Sequence, residues 1–581
     1  MSARLTHHLA WLAAAAPLMA GLELGRRILG NNDDARFAVL AQDVLAHGLR
    51  MFPELNGAPY YNKPALLAWL IALVSWPAGS VSQLTAALPS AAAAVALAFV
   101  VWALGRDMFG AAAGRYAALV TVATQGFFLQ ARLPLPDMLM TFFITLALWQ
   151  LWRMSRDGAR GHHWLGFYGA TALAFWSKGG AGFLPLAVAL GWAVVNARDA
   201  SWRRLGLLRG LALLVLLIAP WWLFGLRTDR VAIHGAVVDN QLFRYLPFTL
   251  TLNSVTAPLR NAFGILFPWV LVVPLVLVQA VRCARGEDAE RRDVRAPLVW
   301  AAVTFVLIAV SREQRFRYYL PLVPPAALLI GWWLARALPE CGGILRVPWR
   351  LYGGLALVLA AVTSAALGGG RRRSEDLLAS LPASLGEALV LAGGLGAMIV
   401  ALGWGMQRAR NDATRTWGRP PAAGTGLERA VNDATRAWGR PPAAGTGLER
   451  SIVARAFAVA WLGSAVFVAG AYHWEVDRFN AANDFPRVSE RMRPALQGAS
   501  VVATWGVPEL PLSFYFHRRV VRVETVDDLE RVMSGGATAV AIMTDGVLAG
   551  NRDRERLEVL MQETFTLQSI SLVRRELANR L

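Results

Sequence analysis

The sequence predicts an α-helical polytopic membrane protein of about thirteen spanning helices, with a small soluble α/β domain at its C-terminal end. Three observations carry this expectation. The 581 residues are 56% hydrophobic and 17% charged, with mean hydropathy +0.41, whereas soluble chains run at about 25% charged. Apolar cores close to the length that crosses a bilayer, about 20 residues, recur along the first four fifths of the chain. From about residue 473 they give way to short strand-like runs separated by polar helical stretches. The apolar content excludes intrinsic disorder, and two cysteines, Cys283 and Cys341, are too few for a disulfide scaffold.

The expected spans are 5–25, 84–104, 111–131, 138–152, 163–177, 179–196, 206–226, 261–281, 296–311, 318–338, 351–370, 385–406 and 453–472. The first is read as a span, not a cleaved signal peptide, because no small-x-small site follows it. The stretch 64–78 is apolar but short, so it is expected to lie in the interface or re-enter. Loops then alternate sides. With the N-terminus inside, Arg153, Arg156 and Arg160, then Arg198, Arg203 and Arg204, then five arginines from Arg282 to Arg295 all face the cytoplasm. So does the loop 407–452. This is the positive-inside pattern, and it accounts for a net charge of +19 without nucleic acid. Residues 411–450 hold a tandem duplication of 21-residue period, with Thr416 in the first copy replaced by Ala437 in the second. Two Gly/Pro/Arg-rich copies cannot build a solenoid, and no chemistry is assigned to them.

Residues 1–472 thus form the membrane domain, including an outer loop at 26–63, and 473–581 form a periplasmic α/β domain. In the latter, 501–506, 520–524, 539–543 and a run near 567–574 are predicted strands, with helices at 525–534 and 551–563.

This topology gathers the costly groups on the outer face. Asp33 and Asp34 precede a helix expected at 35–47, whose Phe37, Leu40, Ala41, Val44 and Leu45 suit a membrane surface; a plain N-cap is the alternative role for the two acids. Lys63 stands at the mouth of the short apolar stretch, Asp137 opens a span, and Lys178 interrupts an apolar run. Only Lys63 and Lys178 are lysines; the other 56 basic residues are arginines, which suggests places where a compact cation is needed. Arg244, Arg312, Arg315, Arg317, Tyr318 and Tyr319 lie in outer loops. Carboxylates beside a basic cluster suit transfer from a phosphate-linked donor: cations bind the phosphate, and a carboxylate takes the acceptor's proton. No phosphate loop of the GxxxxGK[ST] type and no zinc-type spacing is present.

The order DDARFAVLAQDVLAHG, LNGAPYYNKPALLAWL, RLPLPDMLMTFF, WSKGG and RFRYYLPLVPPAALL resembles the bacterial aminoarabinose transferase / protein mannosyltransferase family. These are GT-C fold glycosyltransferases of the family 39/83 type that use polyprenyl-phosphate sugars. The resemblance covers about residues 5–340, with a weaker echo in ATWGVPELPLSFYFHRRV. It implies that Asp33 is the catalytic base, with Asp34 and Asp137 as the further acids of the site. Lys63, Arg244 and Tyr318 would bind the donor phosphate, with Lys178, Arg315, Arg317 and Tyr60 as further site residues. The family's metal-associated glutamate is replaced here by Asn62, and Asn240-Gln241 stand where relatives often carry Glu-His, so a divalent metal is expected to be absent or differently bound. The resemblance thus implies a multi-pass inner-membrane enzyme with a periplasmic site. It would move a sugar, with inversion, from undecaprenyl phosphate to lipid A, an envelope glycan or a protein. A lipid-linked sugar flippase, or an inactive polyprenyl-lipid-binding relative, are the competing readings.

Overall fold

The structure is a computed structural model that describes residues 3–156, 162–196, 206–238, 252–286, 291–337, 447–534, 538–551, 554–564 and 569–575. Helix α1 (Ala3–Gly21) leads through residues 22–31 to α2 (Asn32–His47), then to a two-residue hairpin, β1 (Glu54–Leu55) and β2 (Ala58–Pro59). There follow α3 (Leu66–Ser75), α4 (Gln83–Phe109), α5 (Ala111–Val122), α6 (Gln125–Gln130), α7 (Pro136–Arg156), α8 (His163–Lys178), α9 (Leu184–Val195), α10 (Leu207–Thr228) and α11 (Arg230–Val237). The rest of the membrane part is α12 (Leu252–Leu266), α13 (Val273–Arg285), α14 (Arg291–Ala309), α15 (Val323–Trp332) and α16 (Gly447–Ala482).

Among the described residues, five helical stretches are long and apolar enough to cross a membrane by length and composition alone: Gln83–Phe109, His163–Val195 (α8, a turn and α9), Leu207–Thr228, Phe316–Ala335 and Phe457–Met492 (most of α16 and the short helix after it). Several expected spans are broken. The 111–131 segment divides at Ala123–Thr124, and 261–281 divides into α12 and α13 around Phe267-Pro268 and a 3-10 turn at Trp269–Leu271, because proline cannot continue a helix's hydrogen bonding. The expected spans 351–370 and 385–406 lie outside the described residues, as does all of the duplication except its last four residues, which open α16. That helix runs unbroken past residue 473 to Ala482, so the expected domain boundary falls inside an element.

Close backbone approach holds the bundle together. Gly114 lies where a Cβ would stand 2.5 Å from the Trp102 carbonyl oxygen, so α4 and α5 pack through small residues. Gly182 is pressed against α8 in the same way, 2.3 Å from the Ala174 carbonyl carbon. Eight residues apart on a straight helix these would be about 12 Å distant; the chain therefore doubles back after Lys178, through a 3-10 turn at Gly179–Phe183. The buried Arg132 donates to the carbonyl oxygens of Met19, at 2.6 Å, Leu22, at 2.8 Å, and Phe128, satisfying the end of α1.

Charge divides the bundle into two ends. At one end Arg153 meets Asp107 at 2.8 Å and Arg156 meets Asp293 at 3.2 Å, joining the ends of α4, α7 and α14. Asp137 sits at the other end of α7, about 25 Å away along the helix axis.

The C-terminal domain comprises α17 (Phe485–Met492), β3 (Val502–Trp505), α18 (Glu509–Phe516), β4 (Val521–Arg522), α19 (Val526–Ser534), β5 (Val540–Thr544), α20 (Asp545–Gly550), β6 (Leu557–Thr564) and β7 (Ser569–Arg575). Its sheet has the order β4-β3-β5-β7-β6, with parallel pairing through β4, β3 and β5 and antiparallel pairing between β5 and β7 and between β7 and β6. The helix expected at 551–563 is instead mostly strand β6. Its Leu, Glu and Met residues favour helix locally, but the ladder with β7 and the Glu558–Arg574 ion pair at 2.7 Å override that preference.

Helix α2 was expected to lie on the membrane. Its apolar face is instead buried in protein: Phe37, Leu40, Ala41 and Val44 pack with Leu67, Ala68 and Ile71 of α3 and with Leu510 and Phe514 of α18. The C-terminal domain thereby clamps α2 and the loop around it. Tyr515 Oη accepts hydrogen bonds from Leu29 N and Gln83 Nε2, each at 3.0 Å, and Ser513 Oγ donates to Asn56 Oδ1 at 2.6 Å.

Candidate active site

Helix α2 begins one residue before the two acids. Asn31 is its N-cap, accepting from Asp34 N at 2.8 Å, so Asp33 and Asp34 occupy the first turn and project about 100° apart. Asp33 faces a cavity of about 720 Å³ at the end of the bundle that carries Asp137. Three arginines hold its carboxylate: Arg36 at 2.8 Å, Arg315 at 2.5 Å and Arg317 at 2.8 Å. Burial pushes the Asp33 carboxyl up, but Arg317, joined by Arg36 and Arg315, outweighs it and holds the group well below the usual carboxylate range.

Asp34 does not reach the cavity. It is buried on the far side of α2, paired with Arg27 at 3.3 Å and accepting from Asn31 Nδ2 at 2.9 Å. Arg27 also reaches Glu475 at 3.3 Å and lies over the Phe479 ring at 3.5 Å. Asp34, expected among the acids of the site, therefore ties α2 to the end of α16 through Arg27 and stands outside the cavity lining. Burial pushes its carboxyl up against the opposing pull of Arg27.

Lys63, Lys178, Tyr60, Asn62, Arg315, Arg317 and Tyr318 all line the same cavity. Asp137 stands immediately behind it, fully buried, hydrogen-bonded by Lys178 Nζ and 3.8 Å from Arg317 Nε. Lys178 Nζ also lies 4.2 Å from the centre of the Tyr318 ring. The doubled-back turn after α8 is what brings Lys178 here. Lys63 has no hydrogen-bonded or ion-paired partner among the described residues. Burial, with Lys178 beside it, draws its ammonium down to about 7, while Asp137 pulls the other way. Arg244 and Asn240-Gln241 lie outside the described residues.

Two charged lining residues escaped the sequence reading, Arg36 and Glu509. Arg36 follows Asp33 by three positions on one helix, a spacing that faces the same side. Glu509 comes from the C-terminal domain, 476 positions from Asp33; the only signal for it was the weak echo of residues 503–520. The remaining wall is apolar: Met140, Phe183, Leu184, Ala187, Leu307 and Ile308.

The residues around Asn62 do not suit a divalent metal. A neutral amide replaces a carboxylate, and the cavity that Asn62 lines carries five cations, Arg36, Lys63, Lys178, Arg315 and Arg317, against two acids, Asp33 and Glu509, an excess of positive charge that disfavours a dication. No group of three or more His, Cys, Asp or Glu side chains that could hold a metal occurs among the described residues.

Residues 62–224, which carry Lys63, Asp137 and Lys178, match the family model described as dolichyl-phosphate-mannose-protein mannosyltransferase. The undecaprenyl phosphate-alpha-4-amino-4-deoxy-L-arabinose arabinosyl transferase of Edwardsiella ictaluri is 25% identical over 363 residues, 57% of this chain and 61% of that protein. The enzyme of the same name from Pseudomonas aeruginosa is 29% identical over 357 residues, 57% of this chain and 60% of its own length. The chain thus spans about three fifths of the length of these relatives. The crystal structure of ArnT from Cupriavidus metallidurans in the apo state superposes with TM-score 0.72 at 20% identity, covering 98% of both chains. The same protein bound to undecaprenyl phosphate gives TM-score 0.71 at 20% identity, with 99% of both covered. The resemblance read from the motifs is borne out: the chain has the GT-C fold and is similar to the bacterial aminoarabinose transferases and protein mannosyltransferases.

Proposed function

We propose that this protein is an inner-membrane glycosyltransferase that moves a sugar from a polyprenyl (undecaprenyl) phosphate donor to lipid A, another envelope glycan or a protein at the periplasmic face. The observation that carries the reading is the polarity of one cavity. Arg36, Arg315 and Arg317 hold Asp33, Lys63 and Lys178 line the same cavity, and much of the rest of its wall is apolar. A polyprenyl phosphate has the same polarity, an anionic head on a hydrocarbon tail. The site lies at the end of the bundle opposite Arg153 and Arg156, and by the positive-inside pattern that end faces outward.

In the reaction an acceptor hydroxyl oxygen attacks the anomeric carbon. The bond from that carbon to the phosphate oxygen breaks, and its electron pair leaves with the polyprenyl phosphate. The hydroxyl proton passes to the Asp33 carboxylate. One displacement of this kind inverts the anomeric centre. The phosphate gains a negative charge as it departs, and Lys63, unpartnered among the described residues, is placed to meet it. The arginine clamp gives the base a resting state: three guanidiniums keep Asp33 ionised but weakly basic. A donor phosphate competes for Arg315 and Arg317, and drawing them away restores basicity to Asp33 once the donor is seated.

Transfer from a radiolabelled polyprenyl-phosphate sugar by the purified, reconstituted protein tests this. Asp33→Asn should lower the rate about 100-fold or more, the usual scale of a lost general base. Transfer at the wild-type rate would remove Asp33 from the chemistry.

A further inference from the structure

Arg315 and Arg317, which hold Asp33, stand at the end of an irregular stretch of chain. α14 ends at Ala309, and winding resumes only with a 3-10 turn at Phe316–Leu322 that leads into α15. A loop of this kind is ordinarily mobile, and here one side chain closes it. Gln314 Nε2 donates back to the end of α14, to Ser311 O at 2.5 Å, Ile308 O at 2.9 Å and Ala309 O at 3.3 Å. The last carbonyls of a helix lack intrahelical donors, so the amide caps them. Its Oε1 accepts from Tyr319 Oη at 2.5 Å. Turned over, the amide would set its oxygen against three carbonyl oxygens, so the chemistry admits one orientation. Tyr319 is fully buried, with its ring 6.3 Å from that of Phe305 on α14. Arg315, Arg317 and Tyr318, which line the cavity, lie inside the bridge from Gln314 to Tyr319. Among the described residues of the lining, neither Gln314 nor Tyr319 is found.

From this we infer that Gln314 and Tyr319 are positioning residues: their hydrogen bond fixes the backbone of residues 315–318, so that Arg315 and Arg317 pass from Asp33 to the donor phosphate by turning their side chains alone. The inference rests on the transfer reading above and adds to it what keeps the two arginines in place between partners. Each long side chain that must be ordered on binding weakens affinity. With the bridge closed, the backbone part of that ordering is complete before the donor arrives. Tyr319→Phe removes one hydroxyl, keeps the buried ring and leaves Gln314 Oε1 without this donor. The segment is then tied to α14 at one end only.

The test measures undecaprenyl phosphate binding to the full-length protein. Tyr319→Phe and Gln314→Met should each weaken it about tenfold, the scale of re-ordering one or two long side chains. Ser464→Ala, which removes a buried hydrogen bond to Ala123 O at 2.7 Å elsewhere in the bundle, should change it less than about twofold. In an Arg315→Ala, Arg317→Ala background, where nothing is left to position, Tyr319→Phe should add less than about twofold. With a radiolabelled sugar donor, Tyr319→Phe should raise KM about tenfold and leave kcat within about threefold, because the lost interaction serves donor binding. Wild-type affinity in Tyr319→Phe, an equal loss in Ser464→Ala, or the same tenfold loss without the two arginines would overturn the inference. Wild-type affinity in the arginine-free background, or a wild type that does not bind the lipid, removes the transfer reading and the inference with it.

Discussion

In the proposed function Lys63 is the cation placed to meet the donor phosphate, and burial beside Lys178 brings its ammonium to about 7. Below that pH it is protonated and attracts phosphate; above it the free protein must take up a proton to bind. Donor affinity should therefore fall as pH rises through about 7, and Lys63→Arg, which stays charged, should flatten the curve. Titration of undecaprenyl phosphate binding between pH 6 and 9 measures this, and a wild-type profile as flat as that of the arginine variant would contradict it. At this scale much was legible beforehand. With only two lysines in the chain, Lys63 and Lys178 stood out, and Asp33 stood out by its motif. That Asp33 faces the cavity and Asp34 does not was not legible, because adjacent residues on a helix point about 100° apart, and which of the two faces the cavity depends on Arg27 and Glu475, contributed from elsewhere.

At the level of elements, the turn from α8 into α9 and the start of α7 are joined by the Lys178–Asp137 pair, with side chains 5% and 1% exposed. Removing Lys178 leaves the buried Asp137 with only the longer contact to Arg317, at 3.8 Å, and breaking a buried pair costs about 3–5 kcal/mol. Lys178→Met should lower the thermal midpoint of the purified protein markedly, and Lys178→Met combined with Asp137→Leu should recover much of the loss. Equal stability of the single variant and the wild type would show that the pair does not hold these elements. The break after Lys178 was legible as an interruption of an apolar run. The divisions of 111–131 and 261–281 were harder to see, because apolar composition marks membrane residence and not helix continuity. The strand at 557–564 was missed for a different reason: its pairing with β7 is a long-range fact that local helix preference hides.

For the whole molecule, sidedness decides whether the proposed chemistry is possible. The Asp107–Arg153 and Asp293–Arg156 pairs close one end of the bundle, and the cavity and the C-terminal domain occupy the other. In intact cells, a cysteine placed at exposed Arg531 in a Cys283→Ser, Cys341→Ser background should react with a membrane-impermeant maleimide. Cys283, in the otherwise wild-type chain, should not. Reaction of Cys283 with Arg531→Cys protected would invert the topology. The joining of the loop at 26–63 to the last domain was foreshadowed only by the echo at 503–520. Its meaning emerges from α18 packing against α2, which no pattern within either segment reveals.

A cryo-EM structure of the protein with undecaprenyl phosphate tests the central claim most directly. The account predicts the phosphate within hydrogen-bond distance of Lys63 Nζ, with Arg315 and Arg317 turned toward it and away from Asp33. A phosphate bound outside this cavity, or bound within it while all three arginines keep their hold on Asp33, would contradict it.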